Sequence, residues 1–292
     1  MWYDIKVYLC IFKEEAMSIL DAIIQAIIQG LTEFLPVSSS GHLKLYQAVT
    51  GQTVEEGTFL LVILHLGTLV AVCIAFWDTI WALLKEFFVL IKDIFTGKFK
   101  WKSMNPERRM LIMLFISLAL LVPFYLIKDV FENISLPVLA LCFLFTSVEL
   151  FFASRKRNNK KTAGDITVKD AVVIGLFQCA ALFPGVSRSG STISGGLFSG
   201  LEKETAVRYS FVLGIPAILG GCLVELKDLL EGTIEVNVGA AAIGFVVAAV
   251  VGILAIKLVQ WLIRSDNFVI FSIYTFLVAC GTFIYWLVAA RG

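Results

Sequence analysis

Long apolar blocks alternate with short polar stretches along this chain, and six of the blocks are continuous. They lie near residues 58–77, 110–128, 136–153, 206–226, 238–262 and 267–289. Each is close to the length of about 20 residues that an α-helix needs to cross a hydrocarbon layer of about 30 Å. Two further stretches, 19–50 and 168–200, are apolar at their flanks but interrupted by Pro36, Gly41, Pro184, Gly185 and Gly190. These predict re-entrant helical hairpins, because non-helical backbone at membrane depth survives only where protein or trapped water satisfies its N–H and C=O groups. The pattern predicts an all-α integral membrane protein with six transmembrane helices, three per half, and two re-entrant hairpins.

The two interrupted stretches are related to each other. At a constant offset of 149, Asp21, Ala22, Gln29, Phe34, Val37, Ser38, Ser40 and Gly41 meet identical residues at 170, 171, 178, 183, 186, 187, 189 and 190, eight identities in 23 columns. We read halves of about 17–153 and 168–292, fused into one polytopic domain over residues 1–292 and joined by a basic linker at 154–169. Both the 78–109 stretch, with Lys85, Lys92, Lys98, Lys100, Lys102, Arg108 and Arg109, and the 154–169 linker are rich in Lys and Arg. The positive-inside rule predicts cytoplasmic loops for both. Three spans per half then invert the second copy relative to the first. Both termini and the acidic loop with Asp228, Glu231 and Glu235 fall outside, and the hairpins meet tip to tip.

Composition agrees with a lipid solvent: 59% of residues are hydrophobic, 16% are charged and mean hydropathy is +0.88, against about a quarter charged in soluble domains. A net charge of +1 excludes a strongly basic nucleic-acid footprint. The six cysteines, Cys10, Cys73, Cys142, Cys179, Cys222 and Cys280, stand singly and predict small apolar fillers. Residues 1–16 lack the long apolar core of a signal peptide, and Met17 is a candidate start.

Chemistry concentrates at the hairpins. Asp21, Gln25, Gln29 and Glu33 recur every four residues as a polar stripe on an apolar helix; for Asp21 and Gln25 a wet interfacial side suffices. Glu33 lies deeper, three residues before Pro36, where an ionised carboxylate is costly without a cation or partner. The run Ser38, Ser39, Ser40, Gly41 offers hydroxyls and freed backbone N–H groups suited to an anion. His42 either transfers protons or merely hydrogen-bonds a carbonyl of the turn. His65 reads as structural or as a support behind the site. In the second hairpin Arg188 stands in the column of Ser39, a permanently charged planar donor suited to phosphate or carboxylate. The plainer reading is that it pairs with Glu33.

The strings QGLTEFLPVSSSGH, Gln29 to His42, and PGVSRSGST, Pro184 to Thr192, resemble the two signature motifs of the bacterial undecaprenyl-diphosphate phosphatase (bacitracin-resistance protein) family, over essentially the whole chain from about Met17. That resemblance implies hydrolysis of a C55 isoprenoid diphosphate to the monophosphate carrier and phosphate, for recycling of the cell-wall lipid carrier, with a divalent cation, Mg2+ or Ca2+. It implies that Glu33 holds the metal or positions water and that Ser39 is a nucleophile or phosphate ligand. It assigns proton transfer or attack to His42 and a phosphate clamp to Arg188. Gln29, Ser38, Ser40, Gly41, Ser187, Ser189 and Thr192 complete the substrate contacts. The first acid of the family motif is here Gln29, so a single carboxylate remains. The expected setting is the bacterial cytoplasmic membrane with the site facing outward. The expected partners are the isoprenoid lipid and membrane lipid, not nucleic acid, with a homodimer left open. A second class stays open on the architecture alone: inverted repeats with broken helices also build secondary transporters or flippases of anionic lipids. A histidine-nucleophile lipid phosphatase would need His where Ser194 stands.

Overall fold

The computed structural model describes residues 19–51, 54–125, 134–156, 158–230 and 238–290, and every regular element among them is helical. The calls on residues 1–17, Glu231 and Glu235 lie outside the described residues. The first interrupted stretch is two helices, α1 (Ile19–Phe34) and α2 (Ser39–Thr50), and the second is α7 (Val168–Ala180) and α8 (Arg188–Phe198). Between the hairpins run α3 (Val54–Ala75), α4 (Trp77–Phe95), α5 (Pro106–Tyr125) and α6 (Leu136–Ser154). After them come α9 (Lys203–Leu230), α10 (Val238–Arg264) and α11 (Val269–Ala289). By length and composition α6, α10, α11 and the 203–224 part of α9 can each cross a membrane, and the bent pair α3–α4 makes a fifth if it is counted as one span. The chain is therefore a multi-pass membrane protein.

One expected loop is a helix. Residues 78–109, read as a basic connection, contain α4, which leaves α3 at 87° across Phe76. The lysines drew attention from an apolar stripe: Trp77, Trp81, Leu84, Phe88, Ile91 and Phe95 recur at helical spacing and stay exposed, while Leu83 and Leu90 are buried. Across from that stripe Glu86 and Asp93 hold Arg108 of α5 at 2.5 and 2.8 Å. The 158–169 part of the linker is held by contacts as well. Lys161 pairs with Asp170 at 3.0 Å, and the backbone N–H and hydroxyl of Thr162 both donate to Asp165, holding that carboxyl below its usual range.

The first helix of each hairpin docks on a distant span, α1 on α10 and α7 on α5, while α6 packs on α11 and α3 on α9. The short helix α8 is wedged among α6, α7 and α9. Under the first hairpin the ring of Phe211 meets Phe34 and Phe76 edge-on at centroid distances of 5.5 and 5.7 Å, tying α1 and the α3–α4 corner to α9. The five described cysteines form no disulfide with one another, and Cys142, Cys179 and Cys222 are buried as apolar filling. Cys280 is exposed.

The hairpins meet at their tips. Proline disfavours helix at the residue before it, so α1 ends two residues before Pro36 and the chain reverses into α2. Ser38 caps α2 by accepting from the Gly41 N–H at 3.3 Å, and Ser187 caps α8 by accepting from Gly190 at 3.1 Å. Ser38 Oγ also accepts from the Gly185 N–H at 3.1 Å, and Ser189 Oγ donates to the Leu35 carbonyl at 3.2 Å. Gly185 has φ +92°, and a Cβ there would stand 2.8 Å from the Cys142 Cβ. Both facts penalise any side chain. We expect Gly185→Ala to destabilise the protein by about 1–3 kcal/mol, read as a lower thermal midpoint in detergent; an unchanged midpoint would show that the tips do not limit stability.

Candidate active site

Glu33, at the end of α1, is the hub of the tip region. Its side chain is buried, and its Oε1 accepts from Arg188 Nη2 at 2.5 Å across the two hairpins. Its Oε2 accepts from Gln29 Nε2 at 3.0 Å, one helical turn earlier, and from Ser39 Oγ at 2.8 Å, at the start of α2. His65 of α3 donates from Nδ1 to the Leu61 carbonyl at 2.9 Å and points Nε2 towards Glu33 Oε2 at 3.9 Å. The pairing of Arg188 with Glu33, the plainer of the two sequence readings, is present. It leaves part of the guanidinium open, with the Arg188 side chain 18% exposed.

Room for Arg188 comes from α9. A Cβ on Gly214 would overlap the guanidinium, so only glycine leaves this arginine its position. Gly214 lies 149 residues after His65. At this offset the chain thus holds an imidazole beside the carboxylate and an empty α-carbon beside the guanidinium.

The remaining expected residues divide into two groups. Ser38, Ser187, Ser189 and Gly41 build the tips themselves: Gly41 packs where a Cβ would stand 2.8 Å from the Gly185 α-carbon, and Ser187 and Ser189 lie 3.3 Å apart. Ser40 Oγ lies 3.4 Å from Ser38 Oγ. Thr192 is turned inward, donating to the Arg188 carbonyl at 2.8 Å and lying 2.6 Å from Ser210 Oγ. It steadies the first turn of α8 behind Arg188.

His42 stands apart from the Glu33 cluster. Its Nδ1 lies 2.8 Å from the Ser38 carbonyl, which can only accept, so the neutral ring carries its proton there and Nε2 accepts from Tyr274 Oη at 2.8 Å. The rings of His42 and Tyr274 stack at 5.7 Å and 8°, and Phe143 meets His42 edge-on at 5.2 Å. Among these contacts the base touching Ser39 is Glu33, not His42.

Two polar residues near the tips escaped the sequence reading. Tyr274, 232 positions from His42, carried no signal in an apolar block rich in aromatics. Glu149 did carry one, an acid within the apolar 19-residue run of α6. It is buried, its Oε1 accepts from Ser191 Oγ at 2.8 Å, and its Oε2 meets no partner among the described residues.

The arrangement has the chemistry of an anion site. Two helix N-termini, those of α2 and α8, converge with their capping serines, and helix N-termini carry partial positive charge and free N–H groups. A guanidinium, a carboxylate and a serine hydroxyl meet beside them. The oxygen donors also suit a hard divalent cation: Glu33, Ser39 Oγ, and Gln29 Oε1, which is buried without a partner among the described residues. That set supplies one carboxylate, so phosphate oxygens would complete the coordination. Among the described residues there is no cluster of three His, Cys, Asp or Glu able to hold a metal alone.

Comparison with known proteins gives the arrangement a family. Residues 22–281 match the family described as bacitracin resistance protein BacA. The chain is 37% identical over 274 residues to an undecaprenyl-diphosphatase of Methanosphaera stadtmanae, covering 92% of this chain and 98% of that one. It is 39% identical over 273 residues to an undecaprenyl-diphosphatase of Alkaliphilus metalliredigens, covering 90% and 96%. With undecaprenyl-diphosphatase 4 of Bacillus thuringiensis subsp. konkukian it shares 38% over 262 residues, covering 88% and 93%. A match across nearly all of both chains, including both serine-rich hairpins, means that this protein belongs to the bacitracin resistance protein BacA family.

Proposed function

We propose that the protein is an undecaprenyl-diphosphate phosphatase, a membrane hydrolase that converts the C55 isoprenoid diphosphate to the monophosphate carrier and phosphate and so confers bacitracin resistance. The observation that carries this reading is the Glu33–Arg188–Ser39 cluster between two helix N-termini, in a chain whose relatives bear that activity in their names. A transporter of anionic lipids would use the same architecture. The unequal equipment of the two hairpins favours hydrolysis: Glu33, Ser39 and His42 stand opposite Leu182, Arg188 and Ser191 at the 149-residue offset.

The mechanism follows from charge and position. Phosphoryl transfer is catalysed mainly by holding the reactants in line and neutralising charge on the phosphoryl oxygens. Arg188 and the N–H groups opening α2 and α8 bind the diphosphate. As Arg188 turns to the incoming anion, Glu33 is left with Ser39, whose hydroxyl proton it already accepts. Ser39 Oγ attacks the terminal phosphorus, the bridging P–O bond breaks, and the isoprenyl monophosphate leaves. Water then releases phosphate from the serine. His42, one helical turn beyond Ser39, carries the proton for one of these steps once its Nε2 leaves Tyr274. Glu33, Gln29 and Ser39 would hold a Mg2+ or Ca2+ ion, which supplies further neutralisation of phosphate charge. Ser38, Ser40, Gly41, Ser187, Ser189 and Thr192 keep the N–H groups in place.

The same reading includes six spans, α3, α5, α6, α9, α10 and α11, in two inverted halves. Reciprocal docking supports it: α1 on α10 mirrors α7 on α5. Gly41 against Gly185 likewise mirrors Gly190 against Pro36. The boundaries are about 17–153 and 168–292, with a basic cytoplasmic linker at 154–169, and the site opens to the extracytoplasmic side.

Phosphate release from C55 isoprenyl diphosphate by detergent-purified protein tests the activity, with a chelator abolishing it. Arg188→Ala should cost about 100-fold or more in kcat, and Gly214→Ala should act in the same direction by displacing Arg188. Ser39→Ala should cost a similar factor; near-normal turnover would transfer the attack to water. No release by folded wild type with any of several divalent ions would favour the transporter. For sidedness, Ser39→Cys should react with an impermeant thiol reagent in intact cells above the level of the parent protein. Reaction only after membrane disruption would place the site inside.

A further inference from the structure

The C-terminal helix α11 grips α2 at two points and leaves space between them. Tyr274 Oη lies 2.8 Å from His42 Nε2 in the first turn of α2, and Tyr285 Oη donates to the Ala48 carbonyl in its last turn at 2.9 Å. The two tyrosines are eleven residues apart, three helical turns, so they share a face and stand about 16 Å apart along the axis. Spacing of four, three and four residues puts Val278 and Gly281 on that same face between them. Gly281 is exposed, and a Cβ built on it would have no neighbour within 4 Å. Val278 packs against the buried cluster of Leu139, Phe143 and Ala279, whose Phe143 ring edges His42. The α2 and α11 backbones approach one another little. Tyrosine side chains bridge a slot with an apolar floor.

We propose that this slot, bounded by Tyr274 and Tyr285 and floored by Val278 and Gly281, seats the first units of the isoprenoid tail. The inference rests on the phosphatase reading for the identity of the head group. The slot's occupant must be thin, because only a missing side chain opens it, and apolar, because Val278 and the tyrosine rings line it. It must also end in a group that the catalytic cluster accepts, because the slot runs into His42, three residues from Ser39. A polyisoprenyl chain carrying a diphosphate meets all three conditions. Entry of the tail displaces Tyr274 from His42 and frees Nε2, so binding of the tail and release of the imidazole become one event. Tyr274 is then a positioning residue that holds His42 idle while the slot is empty.

Kinetics on isoprenyl diphosphates of one, three and eleven units test this. Gly281→Leu should raise KM for the three-unit and eleven-unit substrates alike by about 10-fold, with no penalty at one unit. Cys280→Leu, one residue away on another face of the same helix, should leave all three unchanged and controls for folding. An equal penalty at every chain length, or none, would overturn the slot. Tyr274→Phe, which keeps the stack but frees Nε2, should shift the pH profile of kcat/KM without altering the thermal midpoint; an unmoved profile would remove its positioning role. Independently of turnover, an isoprenyl diphosphate with a photoreactive group on its first unit should label peptides spanning 274–285. Label elsewhere, or label displaced equally by an ordinary phospholipid, would overturn the assignment. Absence of phosphate release with all three substrates, together with correct labelling, would instead refute the phosphatase reading and leave the slot a lipid seat.

Discussion

A carboxylate buried at membrane depth must find positive charge, and in this protein that requirement organises the rest. Glu33 sits at a helix end with its two oxygens shared among Arg188, Ser39 and Gln29. Breaking such a pair by removing one partner leaves an uncompensated charge that costs about 3–5 kcal/mol. The partner comes from 155 residues away, so the two hairpins can lower their energy only by meeting. Each interrupted helix has lost backbone hydrogen bonds at Pro36 or at Pro184 and Gly185, and the serines at 38 and 187 replace some of them by capping. Tip contact and charge pairing therefore stabilise each other.

The same compromise sets up chemistry. An ion pair optimised for stability would close both partners off, whereas Arg188 keeps part of its guanidinium accessible and Glu33 spends one oxygen on a serine hydroxyl. In the proposed reaction an incoming diphosphate competes for the arginine with far more negative charge than one carboxylate offers. The acid is released beside the hydroxyl it already holds. Resting stability and catalytic readiness thus draw on one set of contacts.

Much of this was legible before any coordinates. Proline and glycine inside apolar sequence mark broken helices for a reason that lipid enforces, and both hairpins lie where those residues put them. Glu33, Ser39 and Arg188 stood out because charge and hydroxyl are expensive in such surroundings, and the structure brings all three together. His65 reads from the sequence as structural or as a support behind the site, and only folding shows that its Nε2 points at an acid 32 positions earlier. Tyr274 was silent for a related reason: aromatic residues are ordinary in a span, and only folding reveals which one reaches His42. Helix α4 was obscured by its lysines, whose charge suggested a loop although the apolar residues between them keep a helical period. The isolated acid Glu149 was readable and simply overlooked.

On the proposed inverted repeat, the places of His65 and Gly214 carry a consequence for how the two halves came to coexist. If the halves descend from one ancestral unit, a pair of identical copies would have carried an acid at both 33 and 182 and an arginine at both 39 and 188, or neither, crowding like charges between the tips. Like charges at that depth repel strongly. Only after joining could one copy specialise as the acid, keeping an imidazole beside it, while the other specialised as the base and emptied the matching position to make space. Such divergence works as a ratchet. Once each half has discarded what the other supplies, neither can revert or function as a self-paired unit, and the covalent link becomes permanent.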